Sequence, residues 1–223
     1  MEVKITELSA TEIEITGEIA WEEFEKYRPQ ALAHLKEHTE LPGFRKGNVP
    51  ENILREKLGP MKILDEMAGL ALRATYPKII AENKIEAIDR PRINVTKIAE
   101  GSPLGFKITQ TVLPKIKLPD YHSIAKTISK EILDKNERRA KIIQAIMKEV
   151  KIPLPGIIAE RQLEEMVRDI KNKYGSKESD VELRAHLRPI AEERVRVGLL
   201  IESIAIAENI EATKVLEFLE SFV

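Results

Sequence analysis

Cysteine is absent from the chain, which excludes disulfides, thiol nucleophiles and cysteine-based zinc sites. Aromatic residues are scarce, at 4% with a single Trp. No apolar run approaches the roughly 20 residues needed to cross a bilayer. The first residues, Met1-Glu-Val-Lys-Ile-Thr-Glu, are charged and strand-like and do not read as a secretory leader. A soluble, cytoplasmic protein is the expectation. An excess of either charge is also missing: 36 Lys and Arg stand against 37 Asp and Glu, a net charge of -1. Non-specific phosphate binding needs many cations acting together, so the chain as a whole is no general nucleic-acid binder. No P-loop glycine pattern occurs, and nothing calls for ATP or another cofactor.

What is present is ample for a core. The 223 residues are 43% hydrophobic and 33% charged, enough for one large domain or two small ones. Alternation predicts strands over Val3–Leu8 and Glu12–Glu18, and again over Arg92–Ile98 and Phe106–Leu113. Between the pairs, Trp21, Phe24, Leu32 and Leu35 predict a helix from Ala20 to His38, broken near Pro29. A short helix after Pro50 stops at Gly59, and a longer one runs from Met61 to Asn83. Residues 1–118 thus read ββαααββ, an α+β domain with an antiparallel sheet. Residues 119–133 read as an extended, proline-punctuated linker. Residues 134–223 read as an all-α domain, with Val195–Ala207 as its buried centre and a short last helix from Val215 to Phe222.

One decapeptide stands out: Leu41-Pro-Gly-Phe44-Arg45-Lys46-Gly47-Asn-Val-Pro50. Two prolines and two glycines give a loop of defined shape. Its tip carries an aromatic side chain followed by two cations, on a body that is otherwise acidic. Residues 1–40 hold ten acids and four cations. An apolar anchor beside paired positive charges suits an RNA-rich or acidic docking surface.

Gly43 to Pro50 resembles the ribosome-docking signature of the trigger factor family of bacterial chaperones. The ββαααββ order, Leu118-Pro-Asp-Tyr121, Ile152-Pro-Leu-Pro-Gly-Ile-Ile-Ala-Glu160 and Leu187-Arg-Pro-Ile-Ala-Glu-Glu-Arg-Val195 extend the likeness over nearly the whole chain. The resemblance implies docking on the large ribosomal subunit, against an exit-site protein and rRNA, through Gly43, Phe44, Arg45, Lys46, Gly47 and Pro50. It also implies that the helical domain holds nascent or unfolded polypeptides without ATP. Two departures accompany it. The family's prolyl-isomerase domain, on the order of a hundred residues, has no room between Leu118 and the helix near Leu133. The helices that complete the family's substrate cradle do not follow. The expectation is therefore a short form with no catalytic residues, whose arm could dimerise to rebuild a cradle. A prolyl isomerase by family association, and a ribosome-independent scaffold or assembly factor, are the rival readings.

Other features have plainer meanings. His34 and His38 have the spacing of a helical zinc pair but no evident third ligand, and read as a solvated face with no metal. The cation-rich run from Lys135 to Lys151 reads as the exposed side of an amphipathic helix. Glu164-Glu165 and Glu192-Glu193 read as surface carboxylates with no partner to tune them, so no acid–base role falls to them.

Overall fold

The computed structural model describes residues 3–40, 42, 44, 47–131, 134–175 and 179–222. The chain divides into two compact units, Met1–Val112 and Leu113–Val223.

In the first unit, alternation produces strands β1 (Val3–Ser9) and β2 (Glu12–Ile19). A short helix α1 (Trp21–Phe24) continues through a 3₁₀ turn into α2 (Arg28–His38). Pro29 sits in the first turn of α2, where its missing N–H costs nothing, so the expected break is made by tightening the helix just before it. Helix α3 spans Glu51–Glu82 but is interrupted at Gly59, whose φ of 78° lies outside helical space. Gly supplies that conformation cheaply and Pro60 restarts the helix. Strands β3 (Arg92–Lys97) and β4 (Leu104–Thr111) complete a four-stranded antiparallel sheet in the order β1-β2-β4-β3. The α+β reading with an antiparallel sheet holds.

Pairing fixes which side chains share a face. Ile5, Ile15, Ile108 and Ile93 lie in one row across the four strands, and Val3, Gly17, Phe106 and Val95 in the next. The central members of these rows join Phe24, Leu32, Leu35, Leu54, Ile63, Met67, Ala71 and Ile79 in one core. Gln110 is buried among them, accepting from the Tyr76 hydroxyl at 2.6 Å and donating to the Asp89 and Thr111 carbonyls. Burial raises the Tyr76 pKa. Opposite a bulge between Val95 and Lys97, Gly105 has no room for a side chain: a Cβ there would lie 2.8 Å from Thr96 Oγ1 and 3.0 Å from Lys97 Cβ. Gly105→Ala is therefore expected to cost about 1–3 kcal/mol. Chemical unfolding followed by the fluorescence of Trp21, the chain's one Trp, checks this in the first unit alone.

The second unit is helical: α4 (Tyr121–Glu131), α5 (Lys135–Glu149), α6 (Gly156–Tyr174), α7 (Asp180–Glu208) and, after a 3₁₀ turn, α8 (Val215–Glu220). The reading of 119–133 as extended is corrected, because Tyr121–Glu131 is helix. Asp120 accepts from the Ser123 N–H at 3.1 Å, as a capping residue does. Tyr121 and Ala125, one turn apart, are buried, and that helical spacing outweighs the preceding prolines. Ile116 and Leu118 pack on the same core, so the extended stretch ahead of α4 goes with the second unit.

That core gathers Tyr121, Ala125, Ile142, Ile146, Leu200, Ile204, Val215 and Leu219. The expected burial of Val195–Ala207 holds for Val195, Leu200, Ile204 and Ala205, while Ile206 is 66% exposed. A separate cluster joins α6 to the first half of α7 through Leu163, Met166, Val167, Leu183, Leu187 and Ala191. Gly175 ends α6 in the left-handed conformation, and a Ser179/Glu182 capping box starts α7.

Candidate functional site

The loop after α2 is held at both ends. Thr39 N–H bonds the Leu35 carbonyl at 2.9 Å and closes α2. Eight residues on, Gly47, with φ of 87°, donates its N–H to the Lys36 carbonyl at 3.0 Å. The returning chain is thereby tied to the last turn of the helix it left. Val49 is fully buried and Pro50 caps α3. Val49 and Leu54 stand at the positions of a hydrophobic staple, just before the cap and four residues into the helix, and both belong to the first unit's core. This fixes the angle at which the chain enters α3.

Pro42 is exposed, and Phe44 keeps 40% of its surface in solvent. A large apolar side chain held outward on an anchored loop is available for burial against another surface. Of the residues expected to dock, Phe44, Gly47 and Pro50 are placed here, while Gly43, Arg45 and Lys46 lie outside the described residues. The family resemblance implies that Gly47 and Pro50 are among the docking residues. The geometry gives both a shaping role: one closes the loop and the other starts the next helix. Sequence reasoning missed Val49 and the Lys36 carbonyl. The Val49-Pro-x-x-x-Leu54 spacing is a legible signal for the staple; a backbone acceptor leaves none.

Close to the loop, His34 Nδ1 lies 3.0 Å from Glu66 Oε1, and the His34 and His38 rings stack at 4.1 Å. Among the described residues no group of three or more potential ligands could hold a metal ion. Arg28 joins the start of α2 to the β3–β4 turn through Glu100 at 3.1 Å, and its guanidinium lies 5.7 Å from the Trp21 ring. This brace belongs to the same unit as the loop.

The second unit carries polar arrangements that periodicity could not reveal. Glu208, the last residue of α7, accepts from the Tyr121 hydroxyl and contacts His122 Nε2 at 2.8 Å. The Tyr121 hydroxyl, then His122, hold the Glu208 carboxyl below its usual range. Burial, then the bond to Glu208 and its charge, push the Tyr121 pKa up to about 12. The carboxylates read as unpartnered need correction. Arg184 grips Glu164 in a two-pronged pair at 2.7 and 3.0 Å and lowers its pKa. Glu192 contacts Arg196 at 3.2 Å. With Glu160–Arg188 and Lys171–Asp180, the α6–α7 pairs form a ladder along the outside of an antiparallel helical hairpin. Sequence alone could not match Glu164 to a cation twenty residues away, whereas Glu192 and Arg196, four apart on one helix, form a pair that local spacing does encode.

The Tyr121 bond makes a prediction at high pH. Its pKa is raised, so the stabilisation is complete below the ordinary value near 10 and is lost as pH climbs towards 12. The α-helical circular dichroism of the second unit should therefore lose thermal stability across that window. Tyr121→Phe should start about 0.5–1.5 kcal/mol less stable and show a shallower alkaline loss. Equal pH profiles would contradict this assignment.

Comparison with known proteins is consistent with this architecture. The family model described as bacterial trigger factor protein matches residues 1–146, and the model of that protein's C-terminus matches residues 122–215. The chain belongs to the trigger factor family. The trigger factor of Corynebacterium jeikeium is 33% identical over 125 residues, 56% of this chain and 24% of that protein. That of Bacillus pumilus is 35% identical over 124 residues, 56% of this chain and 29% of the relative. The chain thus spans about a quarter of the length of these curated relatives. A solved structure described as "Promiscuous Substrate Recognition in Folding and Assembly Activities of the Trigger Factor Chaperone" shares the fold, with a TM-score of 0.63 at 13% identity over 94% of this chain and 86% of that one. Among the described residues no helix is long and apolar enough to cross a membrane.

Proposed function

We propose that this chain is an ATP-independent chaperone that docks on the large ribosomal subunit through the 43–50 loop and holds nascent or unfolded polypeptides on its helical unit. The observation that carries the reading is Phe44, exposed between the end of α2 and the bond from the Gly47 N–H to the Lys36 carbonyl, with Val49 buried in the core beyond it. In the sequence it is followed directly by Arg45 and Lys46. Phe44 supplies apolar burial, and the two cations supply salt-sensitive attraction to phosphate or carboxylate. Membership of the trigger factor family supports the same role.

The helical unit offers weak, distributed apolar contacts. Val181, Ile190 and Ile206 of α7 stand exposed, a distribution suited to transient holding rather than to a single tight pocket. No prolyl-isomerase step is assigned: the two matched family segments overlap over residues 122–146, and the 113–120 stretch leads directly into α4. The test is aggregation of a chemically unfolded client on dilution. The chain at several-fold excess should suppress light scattering without ATP, and at catalytic amounts it should leave proline-limited refolding unaccelerated. Absence of suppression overturns the holding role, and clear acceleration overturns the non-enzymatic one.

A further inference from the structure

We infer that the free edge of β3 is a second client-binding surface, which takes an extended, alternately apolar polypeptide segment with acidic flanks as an added antiparallel or parallel strand. It rests on the reading that the chain holds unfolded polypeptides and names a place and a binding mode for them.

Three observations carry it. First, β3 ends the sheet and among the described residues pairs with β4 alone, so every second residue turns an N–H and a C=O away from its partner. All six of its residues are exposed. Second, the apolar rows of the inner face stop unfinished there. Ile108 and Phe106 are buried, but their cross-strand partners Ile93 and Val95 are 37% and 43% exposed. One more strand, with apolar side chains in register, would continue both rows and cover both residues. Third, the strand and its approaches carry one sign of charge. From Arg90 to Ala99 there are three cations, Arg90, Arg92 and Lys97, and no acid. Arg92 and Lys97 reach Glu12 and Glu18 but stay 72% and 51% exposed.

The charge selects the occupant. Were a second copy to pair β3 on β3 about the 94–95 centre, Arg92 would face Lys97 at both ends, an unfavourable like-charge arrangement. A guest segment with Glu or Asp at its ends meets those cations favourably. The opposite edge, β1, also ends in a half-open Ile5 but mixes Lys4 with Glu7, so it lacks this preference.

The probe is a fluorescent peptide alternating valine and threonine, with a glutamate pair at each end, titrated by anisotropy against the whole chain. Binding should weaken about tenfold or more when alternate peptide amides are N-methylated. A comparable loss is expected with lysine pairs at the peptide ends, and with Ile93→Lys/Val95→Lys, whose fold Trp21 fluorescence verifies. Phe44→Ala/Arg45→Ala/Lys46→Ala should bind the peptide unchanged. No peptide binding, or equal affinity for the N-methylated peptide, overturns the proposal; that arm needs no variant. Sedimentation velocity showing a dimer that Ile93→Lys/Val95→Lys dissolves would assign the edge to a second copy and likewise overturn it. Aggregation suppression that persists without peptide binding removes this surface alone. Peptide binding without suppression removes the holding role alone.

Discussion

Replacing Phe44, Arg45 and Lys46 together by alanine is expected to weaken co-sedimentation with ribosomes by on the order of a hundredfold. The magnitude follows from the chemistry of the tip. Full burial of a Phe side chain is worth roughly 1.5–3 kcal/mol, and Phe44 has 40% of its surface left to bury, so its own share is about 1 kcal/mol, roughly fivefold in affinity. Removing two cations takes away further salt-sensitive attraction. The fold should be unaffected, because Phe44 is exposed and Gly47 and Val49 tie down the chain beyond it. Separating the residues sharpens the test. Arg45→Ala/Lys46→Ala should flatten the salt dependence, by about 0.9 or less in log–log slope for each rRNA phosphate that is no longer neutralised. Phe44→Ala should weaken binding at every salt concentration and leave the slope in place. Wild-type binding by the triple variant would show that the chain reaches ribosomes by another surface.

The second large effect is expected in the sheet. Phe106→Ala should destabilise the first unit by about 3–5 kcal/mol. Phe106 is among the largest fully buried side chains, and its cross-strand neighbours are Gly17, which offers nothing to fill the space, and Val95, which is half-open. For a unit of this size the midpoint of thermal unfolding should fall on the order of 15 °C. Trp21 packs edge-on against the buried Phe24 at 5.8 Å between ring centres, so its fluorescence reports this transition. Because the loop's clamps belong to the same unit, ribosome binding should fail at the temperature where Trp21 fluorescence changes. A variant within about 1 kcal/mol of wild type would mean that the helix layer closes over the vacated space.

The elements most legible in the sequence are those whose periodicity and punctuation agree. The four strands follow from period-two alternation, and the break at Gly59-Pro60 and the left-handed end at Gly175 follow from the two residue types that mark them. Helix α4 reads as extended because Pro114 and Pro119 dominate the local signal. Its own cues, Asp120 as a cap and apolar residues at Tyr121, Ile124, Ala125 and Ile128, are short and need the core of the second unit to decide them. At the loop, composition reveals the tip but not the clamp. Phe44 is conspicuous as a residue type, whereas the Gly47–Lys36 bond joins two backbone groups and leaves no trace in side chains. The pairing of Glu164 with Arg184 is hidden for a related reason: it depends on the register of α6 against α7, which no local pattern encodes.

The loop proposed to dock belongs to one unit and the helices proposed to hold clients to the other. The most direct test of their joint action is the affinity of the whole chain for ribosomes with and without an exposed, unfolded nascent chain, at one fixed salt concentration. Docking supplies the first contact, and a nascent segment within reach adds a second at high effective concentration. The predicted result is measurable binding to empty ribosomes, tighter binding to translating ones, and loss of both on alanine replacement of Phe44, Arg45 and Lys46. A chain that stays in the supernatant with both kinds of ribosome would contradict the proposed function.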